Sequence, residues 1–333
     1  MTDNTQLRLA KRPTGLPTDD VWDVTTEGVP EPGEGEFLLR TRYVSLDPAM
    51  RGWMNEGRSY IPPVGLGEVM RAGVVGEVVT SRHPRFAPGA HVVATTGVQE
   101  YAVSNGKGVQ VVDPDRAPLP TYLGTLGMTG LTAYFGLLDV GRPERGQTVV
   151  VSGAAGATGS VVGQIAKLKG CRVVGIAGGE QKCRTVVEEL GFDACLDYKG
   201  GVLAAGLRRE ASDRVDVYFD NVGGEVLDAV LPRLAMHGRV VLCGAISQYN
   251  ADGGMRGPAN YMSLLVNRGR MQGFVVFDYA DRYGEALREM AGWLAEGTLV
   301  AQETVVTGGV RAFPQALLKL FAGENTGKLV LEL

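Results

Sequence analysis

The stretch of this 333-residue sequence best suited to hold a phosphate is Val149–Lys167, VVVSGAAGATGSVVGQIAK. An apolar strand ends in a glycine-rich turn and an amphipathic helix begins at once. Unpaired N–H groups in the first turn of such a helix face the oxygens of a pyrophosphate. Gly156 lets the backbone approach that group without a Cβ in the way, and Gly159 allows the helix to pack closely on the strand. The usual G-x-G-x-x-G spacing is altered, because Ala154 stands at its first position with Gly153 one residue earlier. The strand–turn–helix setting predicts dinucleotide binding. The alternative is a tight βα turn in a sheet that has lost its ligand.

The next strand selects the dinucleotide. A site for NAD ordinarily ends this strand on Asp or Glu, which accepts bonds from the ribose hydroxyls. Here the end reads Gly175-Ile176-Ala177-Gly178-Gly179, with Lys182 just beyond and Tyr198-Lys199 closing the following strand. A missing carboxylate and an added cation suit a ribose 2′-phosphate, so NADP(H) is expected over NAD(H). Three more segments, Asp220–Gly224, Cys243–Ser247 and Phe274–Val276, fall at or near predicted strand ends. That is the edge where open α/β sheets bind ligands. Other chemistry lacks its residues: there is no Tyr-x-x-x-Lys, no G-x-S-x-G and no H-E-x-x-H in the chain. Glu188-Glu189 reads as a solvated helix face.

The elements that must hold these residues are legible in outline. The first third is β-rich, with Glu36–Val44, Val74–Val79 and His91–Ala94 bounded by Gly or Pro, which suggests a small barrel or partly open sheet. From Thr148 onward strands alternate with helices: Thr148–Ser152, Ala157–Gly170, Arg172–Ala177, Glu180–Leu190 and Ala194–Asp197. Val202–Ala211, Val215–Asp220, Glu225–Ala235 and Arg239–Cys243 follow. Val161, Ile165 and Leu168 would share one helix face. This alternation predicts a doubly wound α/β sheet. Strand-like Thr304–Val306 and Lys328–Leu333 around a helix at Ala312–Leu320 return the chain to the β-rich part. The expected domains are 1–125 and 299–333 for the discontinuous β-rich domain, and 126–298 for the nucleotide-binding one.

Composition removes several classes of function. Lys and Arg number 33 against 37 Asp and Glu, so no basic surplus exists to bind nucleic acid. The uncharged run Ala117–Leu138 carries four glycines, four threonines and two prolines, which argues against a membrane span. The N-terminal residues show no secretory signal. Four cysteines, Cys171, Cys183, Cys195 and Cys243, form no C-x-x-C pair, and three histidines are scattered. Small buried thiols in a reducing cytoplasm are expected, with neither a disulfide framework nor a metal site.

SLDPAMRGWM (Ser45–Met54), LGMTGLTAYFGLLDVG (Leu126–Gly141) and VSGAAGATGSVVGQIAKLKGCRVVGIAGG (Val151–Gly179) resemble the zinc-independent medium-chain dehydrogenase/reductases. FDNVGGE (Phe219–Glu225), CGAISQYN (Cys243–Asn250), MQGFVV (Met271–Val276) and ENTGKLV (Glu324–Val330) resemble the branch of prostaglandin reductase, plant alkenal double-bond reductases and bacterial curcumin reductase. The resemblance spans nearly the whole chain. It implies a Rossmann domain inserted in a GroES-like catalytic domain, NADPH as cofactor, and a homodimer. It also implies that both zinc sites of related enzymes are missing, since no cysteine precedes Cys171.

Carried over by position, the implied NADPH contacts are Gly156, Ala157, Thr158, Gly159, Lys182, Tyr198 and Asn221. They continue with Cys243, Gly244, Ala245, Ile246, Ser247, Tyr249, Phe274, Val275, Val276 and Asn325. Met128 and Thr132 match positions lining the nicotinamide. Three positions depart from the family pattern. Gly178 replaces a common serine, leaving Lys182 and Tyr198 to recognise the 2′-phosphate. Ala49 replaces a tyrosine beside the substrate. Val266 replaces a tyrosine proposed to stabilise or protonate the enolate. Tyr261 is then the candidate phenol, with Tyr60 and Tyr249 as further candidates and the ribose hydroxyl or water as the alternative. The implied activity is NADPH-dependent reduction of the C=C bond of α,β-unsaturated ketones and aldehydes. Quinone reduction and non-catalytic NADPH binding are the competing expectations.

Overall fold

The computed structural model describes residues 3–251 and 253–333. The chain forms two compact units, one made of everything up to Leu123 with Glu303–Leu333, the other of Gly124–Gln302. The first unit begins with β1 (Asp3–Leu9), β2 (Trp22–Gly28), β3 (Phe37–Ser45), the short α1 (Met50–Trp53), β4 (Val74–Ser81), β5 (His91–Ala94), β6 (Tyr101–Ser104) and β7 (Gln110–Val112). In the second unit come α2 (Met128–Phe135), β8 (Thr148–Ser152), α3 (Ala157–Leu168), β9 (Arg172–Ala177), α4 (Glu180–Glu188) and β10 (Ala194–Asp197). They are followed by α5 (Leu203–Glu210), β11 (Val215–Asp220), α6 (Gly224–Val230), β12 (Leu234–Leu242), α7 (Met262–Val266), β13 (Arg270–Gly273) and α8 (Tyr283–Ala295). The chain closes in the first unit with β14 (Glu303–Val306), α9 (Phe313–Ala322) and β15 (Lys328–Glu332).

The second unit is the expected doubly wound sheet. Its strand order is β10-β9-β8-β11-β12-β13, and every neighbouring pair is parallel. The order reverses between β8 and β11, the crevice where such sheets hold ligands. All five residues of β8 are buried, as they must be where helices cover both faces. Helix α3 differs from its predicted one-faced pattern. Val161 and Ile165 are buried but Leu168 is 37% exposed, while Val162 and Ala166 are fully buried. The helix packs on both the sheet and α2, so its buried face is wider than one 3.6-residue stripe.

Three other expectations are corrected here. Helix α6 stops at Val230 rather than Ala235, because Pro232 supplies no N–H to continue it, and a 3-10 turn follows at Leu231–Arg233. Strand β12 therefore starts at Leu234, well before the expected Arg239. It is irregular: β11 advances from Val215 to Val217 while β12 advances from Leu234 to Arg239, which leaves a bulge at residues 235–238. The thiols differ as well, since only Cys171 is buried and the other three cysteines are partly exposed.

The first unit is a curled sheet of order β14-β15-β3-β4-β5-β7, with β6 on β3. An antiparallel pair, β1 on β2, stands apart from it. That pair was not read from the sequence, because its residues are largely polar; only Leu7, Leu9 and a few neighbours turn into the core of Phe37, Phe86 and Phe313. Strand β15 joins the returning chain to the first residues, parallel to β14 and antiparallel to β3. The second unit keeps the chain until Gln302. Leu299 is buried in its core, and the Val300 N–H donates to Gln164 Oε1 at 2.7 Å.

Candidate active site

The turn after β8 is tight and built on glycines. Gly153 takes φ +61°, a conformation side chains rarely adopt. At Gly159 a Cβ would sit 2.3 Å from the Gly153 carbonyl oxygen, so only glycine lets α3 approach the turn. Gly156 caps α3 in an extended conformation, without a side-chain hydrogen bond and with no acidic residue in the first turn. The first N–H groups of α3 are thus left for an anion. Ala157 and Thr158 lie in that turn, half-buried.

A buried network ties the turn to the neighbouring strand ends. Asp220, fully buried at the end of β11, accepts from Ser152 Oγ at 2.9 Å and Tyr218 OH at 2.8 Å. The same oxygen accepts from the N–H groups of Val222 at 3.0 Å and Gly223 at 2.9 Å. Its other oxygen has no partner among the described residues. Asn221 closes the crevice between β8 and β11: its amide donates to the Ser152 carbonyl at 2.7 Å, and its N–H donates to Ser152 Oγ at 2.9 Å. Ser152 and Asp220 were not singled out as site residues. Their signal was a polar residue ending an otherwise apolar strand, VVVS and VYFD.

The loop after β12 folds against the same edge. Ser247 donates through Oγ to the Val222 carbonyl at 2.6 Å, and the Ile246 N–H donates to the Asn221 carbonyl at 3.3 Å. Tyr249 OH accepts from the Ala245 N–H at 3.1 Å. A cavity of about 270 Å³ opens here beside Asp220, Gly223, Cys243, Gly244, Tyr249 and Met255. Phe274 to Val276 follow β13 rather than forming part of it. The Phe274 ring packs against Phe219 at 6.4 Å. The Val276 carbonyl accepts from Tyr283 OH at 3.0 Å, and that hydroxyl also contacts Met128 Sδ at 4.0 Å. Thr132 donates to the Met128 carbonyl at 2.7 Å, one helical turn back.

At the other end of the same edge, α4 and β10 bring two lysines together. Burial pulls the Lys182 ammonium below the ordinary lysine value, and the charge of Lys199 adds to that. Lys182 is therefore a half-buried cation beside another, not a solvated helix-surface lysine. A Cβ on Gly178 would lie 2.9 Å from the Tyr198 ring and 3.1 Å from the Lys199 side chain. The space a serine would use is thus filled by Tyr198 and Lys199. Asp197 holds the turn by accepting from the N–H groups of Gly179 at 2.8 Å and Lys199 at 2.9 Å. Beside them, the Cys183 and Cys195 sulfurs are 2.8 Å apart.

The remaining candidates lie elsewhere. Tyr261 precedes α7 and is 59% exposed, as are its neighbours Met262, Leu265 and Val266 to similar degrees. In the first unit, Ala49 precedes α1 half-buried, and Tyr60 OH accepts from Trp53 Nε1 at 3.3 Å. Buried Asn325 donates to the Gly327 carbonyl at 2.8 Å. Among the described residues, no cluster of three or more His, Cys, Asp or Glu side chains could hold a metal ion. No helix among them is long and apolar enough to cross a membrane.

Comparison with known proteins matches this architecture over its length. Residues 5–112 fit the family described as the N-terminal domain of oxidoreductase, and residues 157–292 fit the family described as zinc-binding dehydrogenase. A putative NADP-dependent oxidoreductase, YfmJ of Bacillus subtilis, is 46% identical over 98% of this chain and 97% of its own. The NADPH-dependent curcumin reductase of Escherichia coli is 45% identical over 97% of this chain and 95% of its own. The crystal structure of CurA from Vibrio vulnificus in complex with NADPH superposes with a TM-score of 0.93 at 46% identity, covering 98% of each chain. With this identity over nearly the whole length, the chain belongs to the medium-chain dehydrogenase/reductase family, in the branch that includes NADPH-dependent curcumin reductase, prostaglandin reductase 1 and NADP-dependent 2-alkenal reductase.

Proposed function

We propose that the protein is an NADPH-dependent reductase of the C=C bond of α,β-unsaturated ketones and aldehydes. The observation that supports the cofactor is the half-buried Lys182 of α4 next to a strand end that carries no carboxylate from Gly175 to Gly179 and where Tyr198 and Lys199 pack over Gly178. A half-buried ammonium with a second lysine nearby is stabilised by a dianionic ribose phosphate and gains little from a ribose hydroxyl. The uncapped first turn of α3, with Gly156, Ala157, Thr158 and Gly159, would hold the pyrophosphate. Asn221, the Cys243–Tyr249 loop and Phe274–Val276 would hold the ribose and nicotinamide, Met128 and Thr132 would flank the ring, and Asn325 would complete the set.

When bound, the reduced nicotinamide supplies a hydride; the protein's part is binding and orientation. A conjugated carbonyl already polarises its own β-carbon, which accepts the hydride, while the α-carbon takes a proton and the product is the saturated carbonyl. Hydrogen bonds to the developing enolate oxygen lower the barrier. Substrate is proposed to meet Ala49 and Tyr60. Tyr249 OH accepts from its own loop, and Tyr261 stands at a mostly exposed helix end, so the proton is assigned to water or the ribose hydroxyl in preference to Tyr261. The test is NADPH consumption across enones, enals and quinones with product identification by mass and NMR. Saturated ketones support the reading. Hydroquinones alone replace it with quinone reduction, and NADPH binding without turnover replaces it with a binding protein.

A homodimer in the cytoplasm is proposed with this activity; there the four cysteines stay thiols. Strand β13 ends the sheet with an open edge, and beside it Met236, Tyr261, Met262, Leu265 and Val266 are each at least half exposed. An open edge next to apolar side chains suits a second copy of the chain. Light scattering should give twice the mass of one chain, and Leu265→Asp with Val266→Asp should give monomers. A monomeric wild type removes this part of the proposal.

A further inference from the structure

The opposite, amino-terminal edge of the same sheet carries a second concentration of charge that the proposed reaction does not use. Arg239 on β12 and Arg270 at the start of β13 are register partners. Arg142, Arg268 and His237 join them around a cavity of about 370 Å³, with Glu144 as its one carboxylate. Among the described residues none of the four arginines makes an ion pair. Arg142 donates through Nε to the Asp139 carbonyl at 2.8 Å, and Arg270 donates through one nitrogen to the Val140 carbonyl at 2.7 Å. Arg268 likewise uses one nitrogen, on the Val266 carbonyl at 2.8 Å. Arg239 is the anchored member, donating to the carbonyls of Asp216 at 3.4 Å and Arg142 at 3.1 Å, and also to Gln147. Burial pulls its guanidinium below the ordinary value; Asp216 and Glu144 oppose that, and Arg270 reinforces it.

The backbone adds a separate observation. Four described non-glycine residues have positive φ, and three of them line this cavity: Arg142 at 48°, His237 at 61° and Arg268 at 46°. Arg142 ends the wide helical turn at Gly136–Gly141, and Arg268 lies just past α7. Both are places where glycine ordinarily sits without strain. His237 occupies the β12 bulge. A long cationic side chain at a glycine-favoured position, repeated around one cavity, marks strain retained for what the side chains do.

We propose that this cavity is a binding site for a phosphoryl anion, either free phosphate or pyrophosphate or the diphosphate of a nucleotide, separate from the dinucleotide site at the carboxyl edge. Arg142, Arg268 and Arg270 keep unused guanidinium nitrogens whose planar forks match phosphate oxygens. Arg239 sets the frame, and the imidazole of His237 adds a further ring nitrogen. Four guanidinium groups outnumber the one lining carboxylate, Glu144, and the nearby Asp216, which leaves net attraction for an anion.

The experiment uses the full chain in its natural assembly, saturated with NADP+ so that the dinucleotide site is filled. Inorganic phosphate, pyrophosphate and ADP are titrated by calorimetry at constant ionic strength, with chloride as the control. Saturable binding of at least one of the three is expected, weakened at least tenfold in Arg142→Gln/Arg268→Gln and less in Arg268→Lys, which keeps charge but loses the fork. Preference for ADP assigns a nucleotide diphosphate as the source, and preference for phosphate or pyrophosphate assigns the free anion. On the wild type, the bound anion should also protect Arg142 and Arg268 from phenylglyoxal, read by peptide mass, which serves if the double variant does not fold. Absence of saturable binding with NADP+ present, equal affinity in the folded double variant, or no protection of these arginines overturns the proposal. A change of assembly mass in Arg268→Lys without loss of anion binding also overturns it, since the cluster then serves a protein interface.

Discussion

At the scale of single side chains, the proposed preference for NADPH rests on two lysines and one tyrosine. Burial and the neighbouring charge of Lys199 both disfavour the charged form of Lys182, so a bound 2′-phosphate would make that ammonium easier to hold. Lys182→Ala and Lys199→Ala should each weaken NADPH about 10- to 100-fold, or about 1.4–2.8 kcal/mol, while NADH changes by less than about twofold. Equal losses for both nucleotides, measured by fluorescence titration, would remove the assignment. Lys182 and the missing carboxylate could be read from sequence because they follow a strand end by a fixed number of residues. Lys199 entered only as the residue closing the next strand. Its position depends on the 3-10 turn that Asp197 holds after β10, and its packing with Tyr198 over Gly178 depends on a folded contact that no spacing reveals. Asp220 is legible in the sequence only as a strand-end residue that opens the Asp220–Gly224 segment. Its role as acceptor for four donors needs β8 and β11 side by side, which is a property of the sheet order.

Elements were legible where one physical signal dominated. Strands β8, β9, β10 and β11 are short apolar runs with glycine or a polar residue at their ends, and their limits follow those signals. The β1–β2 pair and the early start of β12 were not, because polar strands and a bulge carry no alternating pattern. The clamp between α3 and β9 is an example of element-level cooperation. Lys167 on α3 reaches Asp193 at 2.8 Å, and Asp193 also accepts the Val173 N–H of β9 at 2.7 Å. Burial pushes the Asp193 carboxyl up, but Lys167 and the backbone N–H outweigh it, so the group sits below its ordinary value of 3.8. A carboxyl lowered by folding stabilises the native state above its unfolded pKa, and that contribution disappears as pH falls through the lowered value. Asp193→Asn should therefore cost about 1 kcal/mol near neutrality. The difference from wild type should shrink steadily below about pH 4, where unfolded aspartates take up protons. A difference that stays constant down to pH 2 in denaturant titrations would show that the clamp does not act through charge.

At the scale of the molecule, the chain leaves one unit, builds another and returns, so the first unit depends on its ends finding each other. The return is secured by Lys328, which is 2% exposed. Its ammonium donates to the Leu46 carbonyl at 2.7 Å and to Asp47 at 2.6 Å, joining β15 to the segment that follows β3. Ser45 also donates to Asp47. A buried ion pair adds little over a well-packed apolar pair, but losing one partner strands the other. Lys328→Met should cost about 3–5 kcal/mol, and Lys328→Met/Asp47→Leu should recover much of that, because no charge is then left without its partner. The two units have separate apolar cores, so the damage should be local. In Lys328→Met, hydrogen exchange should quicken across β3 and β15, while β8 and β11 keep their protection and NADPH affinity stays within about twofold. Exchange that quickens equally in β8 and β11 would mean that the two units unfold as one cooperative body, and that Lys328 secures the whole protein and not only the returning strand.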